Sequence, residues 1–149
     1  MSRLHLHIAV EDIQQNIDFY SALFGASPTK IEVDYAKWQL DDPKVNFAIS
    51  NRSKTTGVDH IGIQTESTEE LAEIEQRLTN AGIKGVQQEA STCCYAESEK
   101  YWAMDPQGIP WETFHTLNTA KVFKFDSSSD NNKDDSSTSC CAPSIPSCC

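Results

Sequence analysis

From Leu4 to Val10 the chain reads Leu-His-Leu-His-Ile-Ala-Val, apolar and polar positions alternating with the period of a strand that buries one face. The alternation returns 55 residues later, where His60-Ile61-Gly62-Ile63-Gln64-Thr65 lies over His5-Leu6-His7-Ile8-Ala9-Val10. Each copy runs into a residue suited to cap a helix, Asp12 in the first and Ser67 in the second, and the apolar spacing then changes to that of a helix. The first helix presents Ile13, Ile17, Tyr20 and Phe24 along one face, the second Leu71, Ile74, Leu78 and Ala81. Gly25 and Gly82 mark their ends. Short strand-like runs follow at 37–40 and 45–50 around Asp41-Asp42-Pro43, and at 101–104 and 111–115 around Asp105-Pro106-Gln107-Gly108. The order is βαβββ, twice.

This pattern predicts an α+β fold of two modules, about residues 3–51 and 58–118, related by a pseudo-twofold axis. Each curls a mixed sheet with its helix outside, and the strands enclose a cleft. A helical bundle or a doubly wound sheet needs more helix than two amphipathic segments provide. Beyond Asp126 the pattern stops: Ser, Asp and Asn dominate, with only Ala142 and Ile145 as aliphatics and no aromatic residue. Such a segment cannot offset the entropy of ordering, so the folded unit is expected at 1–125 and a disordered, Cys-rich tail at 126–149.

Charge narrows the function. With 12 Lys and Arg against 22 Asp and Glu the chain carries a formal charge of -10, which opposes binding to nucleic acid or to an anionic membrane surface. No apolar run reaches the ~18 residues of a membrane span, and the first residues lack the apolar stretch of a signal peptide, so a cytoplasmic protein, monomer or homodimer, is expected.

All six cysteines come as neighbours: Cys93-Cys94, Cys140-Cys141 and Cys148-Cys149. Adjacent Cα atoms lie about 3.8 Å apart, short of the roughly 4.4–6.8 Å of an ordinary disulfide, so each pair is a strained partner for itself. Two reduced thiols side by side suit a soft, thiophilic centre such as trivalent arsenic or Cd(II). On a regular strand neighbouring side chains face opposite ways, so Cys93 and Cys94 can share one arsenic only from an irregular turn or loop.

His5 and His60 hold the same register in the two repeats, and a pseudo-twofold axis brings them together. Glu112 sits between Trp111 and Phe114, where a carboxylate is costly without a cation. Two His and one carboxylate form the open, facial donor set of non-haem Fe(II) oxygenases, and catalytic Zn(II) uses similar donors. The run from Pro43 to Asn51 contains no His or acid, so the first module supplies no evident fourth ligand. His7 shares the face of His5 and is the alternative first ligand. His115 falls on the face opposite to Glu112. Lys100 and Tyr95 flank the thiol pair, either touching substrate or serving as ordinary strand and loop residues.

These residues resemble the vicinal oxygen chelate superfamily of glyoxalase I, bleomycin and fosfomycin resistance proteins and extradiol dioxygenases. The likeness spans roughly residues 3–118 and rests on His5-x-x-Ile8-x-Val10-x-Asp12, Phe19-Tyr20, Leu23-Phe24-Gly25, and Asp105-Pro106-x-Gly108 before Trp111-Glu112. More narrowly, Thr92-Cys93-Cys94-Tyr95-Ala96 ahead of Lys100-x-Trp102 resembles the ArsI-type carbon–arsenic lyases and the CadI cadmium-induced proteins. That resemblance implies an Fe(II)-dependent dioxygenase that breaks the C–As bond of trivalent organoarsenicals, such as methylarsenite and trivalent aromatic arsenicals, and releases arsenite. Its metal ligands and catalytic residues would be His5, His60 and Glu112, O2 its co-substrate, and Cys93 and Cys94 its substrate thiols. Two other readings stand beside it: a non-enzymatic cadmium or metalloid sequestration protein using all three thiol pairs, and a glyoxalase-like metalloenzyme.

Overall fold

The computed structural model of the chain describes residues 2–93 and 96–119. Cys94, Tyr95, the boundary expected near residue 125 and the Cys-rich tail lie outside the described residues.

Two repeats of strand, helix and three strands are present, and the fold is the expected α+β one. The first holds β1 (Arg3–Ala9), α1 (Ile13–Phe24), β2 (Lys30–Glu32), β3 (Tyr35–Asp41) and β4 (Lys44–Ser50). The second holds β5 (Gly57–Thr65), α2 (Thr68–Asn80), β6 (Gly85–Cys93), β7 (Ala96–Met104) and β8 (Pro110–Thr119). The run-by-run pattern located neither β2 nor β6. β2 has only three residues, and β6, Gly-Val-Gln-Gln-Glu-Ala-Ser-Thr-Cys, has too few apolar residues to alternate clearly. The helix starts are chemical: Asp12 accepts from the amide of Gln15, and Ser67 from that of Glu70. Gly25, in the left-handed region at φ 61°, closes α1. Ala81, expected on the apolar face of α2, lies just past the helix and is exposed.

The eight strands make one sheet in the order β2-β3-β4-β1-β5-β8-β7-β6. β1 and β5 pair antiparallel at its centre, and each has a parallel neighbour outside, β4 and β8. That arrangement produces the pseudo-twofold. One face carries the helices. In the first module α1 lays Ile17, Tyr20 and Phe24 on Trp38, Phe47 and Ile49, with the rings of Tyr20 and Phe47 centred 4.5 Å apart. Trp38 is completely buried, and truncating such a residue to Ala costs about 3–5 kcal/mol. The second module packs more loosely. Leu71 and Leu78 meet Tyr101 and Ala103, and an apolar cavity of about 430 Å³ remains between α2 and the sheet. Among the described residues no helix is long and apolar enough to cross a membrane. The other face of the sheet carries the polar residues of the central strands, and the candidate site lies there.

Candidate metal centre

Strand register places the site. Across the sheet one row runs Asn46 (β4), His5 (β1), Gly62 (β5), Glu112 (β8) and Trp102 (β7), so these residues share a face. His60, two residues before Gly62, shares that face as well. Gly62 leaves a gap between His5 and Glu112. A Cβ at this position would lie 1.8 Å from the carbonyl oxygen of Glu112, so glycine is what lets β8 approach this closely.

Into the gap point three atoms. His5 Nε2 lies 3.2 Å from His60 Nε2, and Glu112 Oε2 lies 3.5 Å from the first and 3.3 Å from the second. Both imidazoles are oriented from behind. His5 Nδ1 meets the backbone carbonyl of Asn46 at 3.0 Å, and His60 Nδ1 meets Asp59 Oδ1 at 2.6 Å. With Nδ1–H donated outward, each Nε2 turns a lone pair inward. Three acceptors converging without a donor are mutually repulsive until a cation enters. Donors about 2.1 Å from one ion stand about 3.0–3.4 Å apart in octahedral or tetrahedral sets, which matches the observed triangle. The donor set therefore fits a divalent first-row metal.

Asp59 reaches its own neighbour because the strand is irregular. His7 pairs with His60 and Ile8 with Val58, so Asp59 is the extra residue of a bulge in β5. In a regular strand its carboxylate would face away from His60; the bulge turns it to the same side. On the far side of the site Lys100 Nζ donates to Glu112 Oε1 at 2.5 Å. Phe114 meets His5 edge-on at 5.1 Å between ring centres and Trp102 meets His60 at 5.2 Å, so aromatic rings wall the site.

The charges are strongly shifted. Burial pushes the His5 imidazole down to about 4. Burial also opposes charge on His60, but hydrogen bonds with Asp59 and Glu112 outweigh it and raise that imidazole to about 9. Burial would likewise raise the Glu112 carboxyl, yet the Lys100 ammonium and the two imidazoles hold it well below the carboxylate range. In the metal-free protein a proton on His60 thus supplies the cation that the converging acceptors need.

His7 is close too: one ligand atom from each of His5, His7 and His60 falls within 4.8 Å of the others. Its Nε2, however, lies 2.8 Å from the hydroxyl of Ser50, whereas the His5, His60 and Glu112 atoms form the tighter triangle. The residue opposite His7 in β4 is Ala48, which brings no donor atom. His115 is half-buried with Nδ1 3.4 Å from the carbonyl of Thr65, outside the cluster. Cys93 ends β6 opposite Ala96, six residues along β7 from Trp102, or about 20 Å of strand. Lys100 lies on Glu112. The alternation around His5 and His60 carried no signal for Gly62, Asp59 or the Asn46 carbonyl, because each acts through backbone geometry.

The family model of the Glyoxalase/Bleomycin resistance protein/Dioxygenase superfamily matches residues 3–113. A trivalent organoarsenical cleaving enzyme of Bacillus sp. (strain MD1) is 38% identical over 152 residues, covering 99% of this chain and 94% of that protein. The cadmium-induced protein CadI of Mycobacterium tuberculosis (strain ATCC 25618 / H37Rv) is 31% identical over 142 residues, covering 95% and 93%. Among solved structures, homoprotocatechuate 2,3-dioxygenase from Arthrobacter globiformis superposes with a TM-score of 0.58 at 17% identity, over 80% of this chain and 36% of that one, a likeness of fold.

Proposed function

The chain belongs to the Glyoxalase/Bleomycin resistance protein/Dioxygenase superfamily, and on that premise we propose that it cleaves the C–As bond of trivalent organoarsenicals and releases arsenite. Fe(II) held by His5, His60 and Glu112, with O2 as co-substrate, completes the proposal. One observation carries it: three acceptor atoms converge to metal spacing in a chain that is 38% identical to a protein named for this reaction. Bound there, Fe(II) would supply the oxygen chemistry of the cleavage.

The protein's own part is selection and position. Cys93 and Cys94 would take the arsenic by soft thiolate ligation, which hard oxygen ligands do not match. The end of β6, at Cys93, would then have to approach the triad. Register irregularities between Gln88 and Ser91, and between Glu97 and Ser98, fall at one level of the β6–β7 pair and favour bending there. Trp102 and Phe114 would keep water from the reacting bond, and holding substrate near the metal converts an encounter into an oriented reaction. Reduced thiols accord with a cytoplasmic setting.

The test is purified protein loaded anaerobically with Fe(II) and given methylarsenite with and without O2. Arsenite should form only with O2. In a background where the four tail cysteines are Ser, Cys93→Ser/Cys94→Ser should keep the metal and lose organoarsenical binding and turnover; undiminished cleavage would refute the role of the pair. The thiol pairs Cys140-Cys141 and Cys148-Cys149 favour a second reading, capture of Cd(II) or arsenite without catalysis. Stoichiometric binding with no arsenite released would decide for it.

A further inference from the structure

We infer that Lys100 is a positioning residue, holding one oxygen of Glu112 so that the carboxylate presents a single oxygen to the metal. The inference rests on the ligand reading above and adds a residue to it.

The two oxygens of Glu112 are divided between different partners. Oε2 faces both imidazole Nε2 atoms, while Oε1 accepts from Lys100 Nζ. Both side chains are deeply buried, 7% exposed for Lys100 and 5% for Glu112. A buried ion pair of this kind is weak as a source of stability, because desolvating two charges consumes most of their attraction and an apolar pair of similar volume usually does as well. Packing alone therefore does not call for a lysine here. Register shows how the contact arises. Trp102 lies opposite Glu112 and Lys100 opposite Phe114, so the lysine starts one pleat further along the same face and reaches Glu112 diagonally. The Trp102 ring stands 5.9 Å from its nitrogen and closes that side.

The chemical consequence follows from how carboxylates bind metals, through one oxygen or through both. With both oxygens free, a glutamate in this position can chelate and take two coordination positions. An ammonium fixed on Oε1 leaves one. Beside two imidazoles, that keeps about three positions of an octahedral ion for outside ligands instead of about two. A reaction that must admit both an arsenical and a second reactant benefits from the larger number.

Mn(II) is a suitable probe, because it takes carboxylate and water in preference to thiolate and so ignores the cysteines. Water-proton relaxation of the full-length Mn(II) protein counts bound waters, and the free-ion electron paramagnetic resonance signal measures affinity. Lys100→Met should lower the relaxation enhancement by about a third, as two bound waters replace three. Lys100→Arg, which keeps a donor cation, should stay near the wild-type value. If Lys100→Met does not fold, Lys100→Gln carries the same comparison. Unchanged hydration in the Met or Gln variant overturns the inference. So does a tenfold or greater gain in Mn(II) affinity at unchanged hydration, since Lys100 would then be a cation displaced by the metal. Wild-type protein that binds no Mn(II), or binds it equally well after Glu112→Ala, overturns the ligand set itself and this inference with it.

Discussion

Gly62 offers the sharpest way to separate metal binding from folding. Adding one methyl group in Gly62→Ala would set a Cβ 1.8 Å from the carbonyl oxygen of Glu112, 2.7 Å from its carbonyl carbon and 3.0 Å from its nitrogen. All three are backbone atoms in a paired strand, so no side chain can swing aside. Restoring the 3.0 Å that real Cβ atoms keep requires β5 and β8 to part by about 1.2 Å. If the shift runs along the ligand triangle, the 3.3 Å between Glu112 and His60 opens to about 4.5 Å. Two donors each about 2.1 Å from one ion cannot stand more than about 4.2 Å apart, so Glu112 would be lost from the proposed ligand set. Overpacking of this kind costs about 1–3 kcal/mol, and the aromatic core of the first module is remote from it, so the variant should still fold. The assay is a urea unfolding curve beside a metal titration. Gly82→Ala is the control: it too is strained, at φ 75°, but meets no heavy atom within 4 Å and should lose stability while binding metal normally. A Gly62→Ala protein with wild-type metal affinity would show that the close approach of β8 does not build the site.

Replacing His5, His60 or Glu112 by Ala should abolish stoichiometric metal binding, while His7→Ala should retain it; metal analysis after gel filtration decides, and the reverse result for His5 and His7 would exchange their roles. A chain ending at residue 125 should keep the thermal unfolding midpoint and the metal stoichiometry of the full chain, because both repeats and all three proposed ligands precede that point. Asp105 organises the turn that leads into β8: its carboxylate accepts from the amides of Gln107 and Ile109, both at 2.9 Å, and the bond from Ile109 chiefly holds it below its ordinary 3.8. A depressed carboxyl stabilises the fold above the unfolded value and loses that contribution as pH falls through the folded one. Wild type should therefore be more stable than Asp105→Asn above about pH 4, with the difference shrinking below it, as paired unfolding curves from pH 2 to 6 would show.

The legible parts of the sequence were those with a period. Alternation around His5 and His60, the caps Asp12 and Ser67 and the helix faces each repeat a local rule, and the two modules follow from them. β6 was missed because its polar run matches no period, although pairing with β7 holds it in the sheet. At the site His5 and His60 could be named from symmetry and Glu112 from its apolar neighbours, but their supports could not. Asp59 would face the wrong way on any regular strand, and only the one-residue bulge against β1 turns it toward His60. His5 is oriented by the carbonyl of Asn46, a group every residue carries, so no side-chain pattern marks it. In sequence Lys100 lies near the thiol pair; only register across β7 and β8 shows that it reaches Glu112.

The near-symmetry of the repeats also accounts for a proposed ligand set of three. The offset that carries His5 onto His60 carries His7 onto Gly62. In β4 the partner of His7 is Ala48, and in β8 the partner of Gly62 is Glu112, so Ala48 stands where the second module has its carboxylate. Two substitutions thus separate the halves. In the second module a missing side chain at Gly62 makes room, and an acid occupies it. In the first, His7 fills the corresponding room and bonds to Ser50, and the neighbouring position keeps only a methyl group. A symmetric pair of half-sites would surround an ion with two histidines and two carboxylates, a donor count sufficient to saturate a tetrahedral metal. Removing one carboxylate leaves the donors gathered on one side and a side chain without donor atoms on the other. With His5, His60 and Glu112 as the proposed ligands, an outside ligand would enter on the Ala48 side, which the exchange of an acid for Ala48 leaves without a carboxylate.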